Sequence, residues 1–355
     1  MKNLFILAAI FFLSLPNTTQ ATVRTVSNDG SGGSQYSTLL AAYNASVNGD
    51  TLMLEGTNVP YHIYTGVYLA NFWNKSLTVI GIGFNPDKDL ARKSIINHNA
   101  YYGEAFYFGA GASGSRFYGI EFITQVNMNA TVNNVLFEDC KFNTNFTFAG
   151  NNASGFAFVN CIFDHDNSVN LQIGSTGNAV TNLTVMNCVF DGHIQGNSNI
   201  YSSMTIDHCL FLGGATLLTG VMNSLIKNCV FMNSVPGATN SNWLNNMSVN
   251  PTQFDNQNGC TGSGNILGTN PNMVNYTLGN YYSKLHDYHL QPGSPAIAMA
   301  TDGTDIGIHG GFSKFSERGE VLITPIIRSI NINQTNAAPG GTINVNIHAA
   351  KPNDQ

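Results

Sequence analysis

The sequence predicts an all-β fold, a right-handed parallel β-helix, from three observations. A short motif recurs every 20 to 27 residues, apolar residues alternate within each half of it, and a residue tolerant of left-handed backbone stands at the break between halves. The copies read Leu136-Phe-Glu-Asp-Cys140-Lys-Phe142, Phe158-Val-Asn-Cys161-Ile-Phe163, Val185-Met-Asn-Cys188-Val-Phe190, Ile206-Asp-His-Cys209-Leu-Phe211 and Ile226-Lys-Asn-Cys229-Val-Phe231, with cysteines 21, 27, 21 and 20 residues apart. Two earlier copies carry Ile for Cys, Val79-Ile-Gly-Ile82-Gly-Phe84 and Phe117-Tyr-Gly-Ile120-Glu-Phe122.

Each position has a physical reading. Phe stands two residues after the Cys or Ile, and apolar residues stand three and five before it, as in Phe137 and Val135 or Ile206 and Met204. Period two marks two short strands with one buried face. The break carries Gly81, Gly119, Asp139, Asn160, Asn187, His208 or Asn228, the types that most readily take positive φ. Coils in which Phe falls on Phe and Cys on Cys stack at the spacing of adjacent strands, about 4.8 Å. A leucine-rich repeat has a similar period, but the returns here, such as Thr144-Asn-Phe-Thr-Phe-Ala-Gly150, have strand and turn character.

Composition agrees. Only 10% of the 355 residues are charged while 43% are hydrophobic, Gly numbers 36, and Asn makes up about one residue in seven. With 22 Phe and 14 Tyr, this is a turn-rich β chain rather than a disordered one. A net charge of −6 without a Lys/Arg cluster excludes an electrostatic footprint for nucleic acid. Residues 1–21 read as a secretory signal peptide, with Lys2, an apolar run from Leu4 to Leu15, and Thr19-Gln20-Ala21 before cleavage. The mature chain is expected to be exported (secreted, periplasmic or cell-surface), with no membrane span. Residues 22–312 form the β-helix, and 313–355 a tail in which Val321–Ile332 and Ile343–Ile347 flank a Pro339-Gly-Gly341 turn. Nothing in the sequence settles the oligomeric state.

The ladder resembles the pectate-lyase-like superfamily of right-handed β-helices, in which an Asn ladder occupies the tight bend between two of three sheets. The ends resemble it too. Tyr36–Val47 fits an amphipathic capping helix through Leu39, Leu40, Tyr43 and Val47, and leads to a strand at Gly49–Leu54. Asn265–Pro271, Tyr288–Ile297 and Asp305–Gly311 are similar to the closing pattern of exported bacterial β-helix proteins, with Asp302 and Asp305 making turns. The superfamily spans lyases, hydrolases, isomerases and adhesins, so the resemblance implies fold and not activity.

Five of the six cysteines share one inward position, which predicts a column of small buried side chains rather than disulfides or a metal site. Cys260 is expected to be unpaired. Lys141 and Lys227 read as exposed single charges. In the resemblance, substrate lies along the strand after the Phe. The outward residues there are Thr147, Asn170, Gln172, Gln195 and Thr216, and Asn170, Gln172 and Gln195 are candidate binding residues. That face shows amides and hydroxyls, not the basic proton abstractor a lyase of this class requires or the Asp group of a polygalacturonase.

One cluster stands out. Asp164-His165-Asp166 and Asp191-Gly-His193 fall at the same place in consecutive coils, beside the long 27-residue one. In register, Asp164 and Asp191 stack, and paired carboxylates raise one pKa or recruit a cation. Asp164, Asp166 and Asp191 are therefore candidate Ca2+ ligands, and Asp164, Asp191 and His193 candidate acid/base residues. The expected function is a non-catalytic, adhesive or structural module contacting extracellular glycan. The alternative is a polysaccharide lyase or glycoside hydrolase acting on acidic polysaccharide.

Overall fold

The structure, a computed structural model, describes residues 21–30, 33–63, 73–84, 92–97, 105–149, 152–166, 168–174, 179–196, 202–213, 217–233, 236–319, 326–332, 343 and 345–350. The signal-peptide expectation falls almost wholly outside them. Their core is a parallel β-helix of three sheets whose strands pair in parallel, coil upon coil. The first sheet runs from Val23–Val26 to Thr261–Ser263, the second from Ile95–Ile96 to Ile266–Leu267, the third from Phe106–Phe108 to Leu218–Thr219.

Register follows the motif. In the first sheet Phe117, Phe137, Phe158, Val185, Ile206 and Ile226 are successive partners. In the second, Phe122, Phe142, Phe163, Phe190, Phe211 and Phe231 are. Rings of the second file stack nearly parallel, with centroids 5.2, 5.0, 4.5, 4.9 and 5.0 Å apart. Each is fully buried, worth about 1.5–3 kcal/mol of transfer free energy apiece. The six cysteines are buried and unbridged, and burial pushes the Cys140, Cys161, Cys188 and Cys229 thiols up, which keeps them inert.

At the bend into the second sheet Gly119, Asp139, Asn160, Asn187, His208 and Asn228 take φ of 62, 53, 53, 49, 51 and 57°. Gly81 departs from the expectation. The left-handed residue in its coil is Gly83, with φ 108°, and glycine is needed at 81 because a Cβ would lie 2.3 Å from the Gly119 carbonyl oxygen. Two further coils escaped the motif. Trp243-Leu-Asn245-Asn246-Met-Ser248 and Gly262-Ser-Gly264-Asn265-Ile-Leu267 continue both sheets, with Asn245 and Gly264 left-handed at 50 and 69°. Here the cysteine column gives way to asparagine. Asn246 is buried, accepts from Cys229 N at 3.0 Å and donates to Ile226 O at 2.9 Å, so its amide costs little to bury.

The N-terminal helix is Leu39–Ala45, capped by the Thr38 hydroxyl accepting from Ala41 N. It buries Leu39 and Ala42, while Val47 lies beyond its end and is exposed. The other end of the chain does not simply close the last coil. Residues 271–319 fold back along the outer face of the second sheet as a strap. Met273, Tyr288, Ala296, Ile306, Ile308 and Phe315 bury the outward Ile162, Val189, Leu210, Val230 and Met247. The bend residues hold the strap. Asn245 Nδ2 donates to Met299 O at 2.8 Å, Asn228 accepts from Thr301 N at 2.7 Å, and Asn187 Nδ2 donates to both Ile308 O and Gly310 O at 2.8 Å. Asn160 Nδ2 reaches Lys314 O at 3.3 Å. Asp302 and Asp305 accept from Thr304 N and Ala298 N, the turn role expected of them. Beyond the strap, Ile326–Ile332 and Val345–Ala350 form an antiparallel pair.

Asn187→Gly keeps the left-handed bend and removes only the amide that meets the strap. It is expected to lower unfolding stability by about 1–3 kcal/mol, the cost of unpaired buried partners. An unchanged denaturant midpoint would mean that apolar packing alone holds the strap.

Candidate functional site

The outward residues of the second sheet change from apolar to charged toward its earlier coils. Along that file Ile162, Val189, Leu210 and Val230 lie under the strap, whereas the two preceding rungs carry Lys141 and Glu121. Lys141 Nζ lies 2.6 Å from Asp164 and 3.8 Å from Glu121, and Lys93 Nζ lies 2.8 Å from the other Glu121 oxygen. These four form a line of alternating charge. The Lys141 ammonium also sits 5.5 Å from the Tyr282 ring centroid, within cation–π range. Lys93, Lys141, Asp164, Tyr282, Ser283 and Lys284, with Phe84, enclose a cavity of about 200 Å³.

The expected carboxylates meet at the cavity's edge. Asp164 N and Asp191 N bond the carbonyls of Phe142 and Phe163, so the two residues occupy consecutive rungs just past the Phe column. Asp164, Asp166 and Asp191 each bring a carboxylate oxygen within 4.8 Å of the others. Their environments differ. Asp166 is exposed, Asp164 is partly so, and Asp191 is fully buried. Asp191 Oδ1 accepts from Tyr282 N at 2.8 Å, while its Oδ2 is buried without a partner. Burial, then the charges of Asp164 and Asp166, raise its pKa to about 7. An orphaned carboxylate oxygen beside two more carboxylates fits a hard divalent cation, which prefers oxygen ligands.

His193 is not part of that group. It stands in the third sheet opposite Val169, its Nδ1 is buried without a partner, and burial lowers its pKa. Asn170 requires a correction. Asn170 is the extra residue where the register shifts between Val169 and Leu171, and it is fully buried. Its Oδ1 accepts from Gly192 N at 2.6 Å and its Nδ2 donates to His165 O at 3.2 Å. It ties the Asp164–Asp166 loop to the next coil and cannot meet a ligand. Gln172 and Gln195 are adjacent and partly exposed, in an outward file of Tyr107, Asn127, Thr147, Gln172, Gln195 and Thr219. Thr147 is itself buried, with Asn145 donating to its hydroxyl. Thr216 lies outside the described residues, and Thr219 takes the place expected of it.

Lys141 is the residue that sequence reading undervalued. It is engaged at this site with its side chain 15% exposed, not displayed to solvent. A signal existed: the position between Cys and Phe holds Glu121 and Lys141 in two coils and apolar residues in those that follow. Lys227 is likewise paired, 3.0 Å from Asp207. Trp73 and Trp243 are fully buried and belong to the core.

The raised Asp191 pKa carries a stability consequence. The folded state holds a proton on Asp191 that the unfolded chain releases near the ordinary Asp value of about 4. Stability is therefore present below pH ~4 and declines as pH rises toward about 7. Asp191→Asn keeps an acceptor for Tyr282 N and is expected to flatten that decline in denaturant midpoints measured from pH 4 to 8.

No protein-family model matches the sequence, and no curated protein does. Among solved structures, the crystal structure of pectate lyase Pel9A is similar to this chain, with a TM-score of 0.51 and 14% sequence identity over 83% of this chain and 97% of that one. The likeness shows a shared parallel β-helix, pectate-lyase-like fold.

Proposed function

We propose that this is an exported β-helix protein that grips acidic polysaccharide, with Asp164, Asp166 and Asp191 holding Ca2+ and Lys141 meeting a sugar carboxylate beside it. The observation that carries this reading is the convergence of Asp166 and Asp191 on Asp164, which lines a cavity together with Lys141. Ca2+ takes six to eight oxygens. Three carboxylates supply part of that shell and leave room for water and for a uronate, while the ammonium adds a charge-assisted contact. Gln172 and Gln195, partly exposed on the third sheet, suit sugar hydroxyls. The pectate-lyase likeness supports a polysaccharide-related role.

A lyase is the second reading, favoured by one fact: Lys141 is an amine lining the same cavity as Asp164. Its ion pairs with Asp164 and Glu121 favour binding over proton abstraction, because an abstracting amine must be neutral. A glycosidase acid/base pair is disfavoured, since the fully buried Asp191 cannot reach a glycosidic oxygen.

Binding to polygalacturonate and alginate is expected to require Ca2+, to vanish in chelator, and to weaken at least about tenfold in Asp164→Ala/Asp166→Ala and in Lys141→Ala. Equal binding in chelator would overturn the cation site. Release of ultraviolet-absorbing unsaturated uronate by the wild type, lost in Lys141→Ala, would select the lyase reading instead.

A further inference from the structure

A second group of ligand-type side chains lies on the strap. His289, His309 and Glu317 each bring one ligand atom within 4.8 Å of the others. They come from the strand Asp287–Leu290, the Asp305–Gly311 closing turn and the strap's far end, so they join three segments of the strap. The two imidazoles lie face to face, with centroids 3.7 Å apart and planes 14° apart, and the edge of Phe315 closes on His309 at 5.9 Å.

Two details point to an ion. His309 Nε2 is buried and has no hydrogen-bond partner, although nearly all buried ring nitrogens find one. His289 Nδ1 is 2.7 Å from Asp287 Oδ1, a carboxylate–imidazole contact of the kind that orients a metal-bound histidine. Two imidazoles and a carboxylate suit Zn2+ and its neighbours rather than Ca2+.

We infer that His289, His309 and Glu317 form a transition-metal site that pins the strap to itself. Phe315 wedges the His309 ring, and the exposed His289 ring pivots about its Asp287 contact out of the stack so that the two lone pairs converge on one ion. A tetrahedral Zn2+ would complete its shell with water. Metal binding to such a site adds to folding stability. The site is independent of the proposed polysaccharide contact, because imidazole and all-oxygen ligand sets select different ions.

The test uses the full chain with Zn2+ and Co2+ as probes. Zn2+ in competition with a chromophoric chelator is expected to bind in one equivalent more tightly than any other and to raise the melting temperature. Co2+ is expected to give visible ligand-field bands. His289→Ala, an exposed position that leaves the core intact, and Glu317→Gln are each expected to weaken Zn2+ at least about tenfold. Asp164→Ala/Asp166→Ala and His62→Ala are expected to leave it unchanged. Failure of the wild type to bind Zn2+, or undiminished binding in both His289→Ala and His309→Ala, would overturn the inference without touching the Ca2+ reading.

Discussion

From Gly119 onward each coil turns from the first sheet into the second within two residues, and the chain meets this demand by placing Gly119, Asp139, Asn160, Asn187, His208, Asn228, Asn245 and Gly264 in the left-handed region. The penalty an ordinary side chain meets there, roughly 1–2 kcal/mol, restricts the position to a few residue types. Once the bend is repeated identically, the flanking strands have no freedom of register. Phe then falls on Phe at 4.5–5.2 Å in the second sheet, and the buried apolar column supplies the stability that a single coil lacks.

The same bend has a second consequence. Asparagine is chosen there for its backbone, yet its amide is left pointing out of the solenoid at regular intervals. The strap uses these amides as anchors, through Met299, Thr301, Ile308, Gly310 and Lys314. A residue selected to turn the chain thus becomes the means of covering the second sheet's outer face, whose Ile162, Val189, Leu210 and Val230 would otherwise meet water. His208 follows the same logic with a ring in place of an amide, its Nε2 3.2 Å from the Thr304 hydroxyl.

How much of this was legible follows from what periodicity encodes. The β-helix, its bends, the free cysteine column and the stacking of Asp164 on Asp191 all repeat locally, so they could be read from spacing. The coils at Asn246 and Asn265 were hidden because a buried hydrogen-bonded amide replaces the cysteine. Asn170 misled because it is the extra residue at a register shift, where its amide is taken up by the backbone of His165 and Gly192. The strap was illegible for a different reason. It pairs residues 54 to 154 positions apart through amides whose sequence role was already explained by the turn.

The position of the candidate site follows from where the outward file of the second sheet turns from apolar to charged. Glu121 is buried and Lys141 nearly so, and both are tolerated there because Lys93, Lys141, Glu121 and Asp164 pair with one another. A cavity opens where Tyr282–Lys284 of the strap meet these charges. Asp191 lies on the boundary itself. One carboxylate oxygen is satisfied by the strap at Tyr282 N, and the other is left buried and unpartnered among carboxylates. Asp191 therefore joins the strap, through Tyr282 N, to the carboxylates of Asp164 and Asp166, at the junction between the apolar and the charged parts of the sheet.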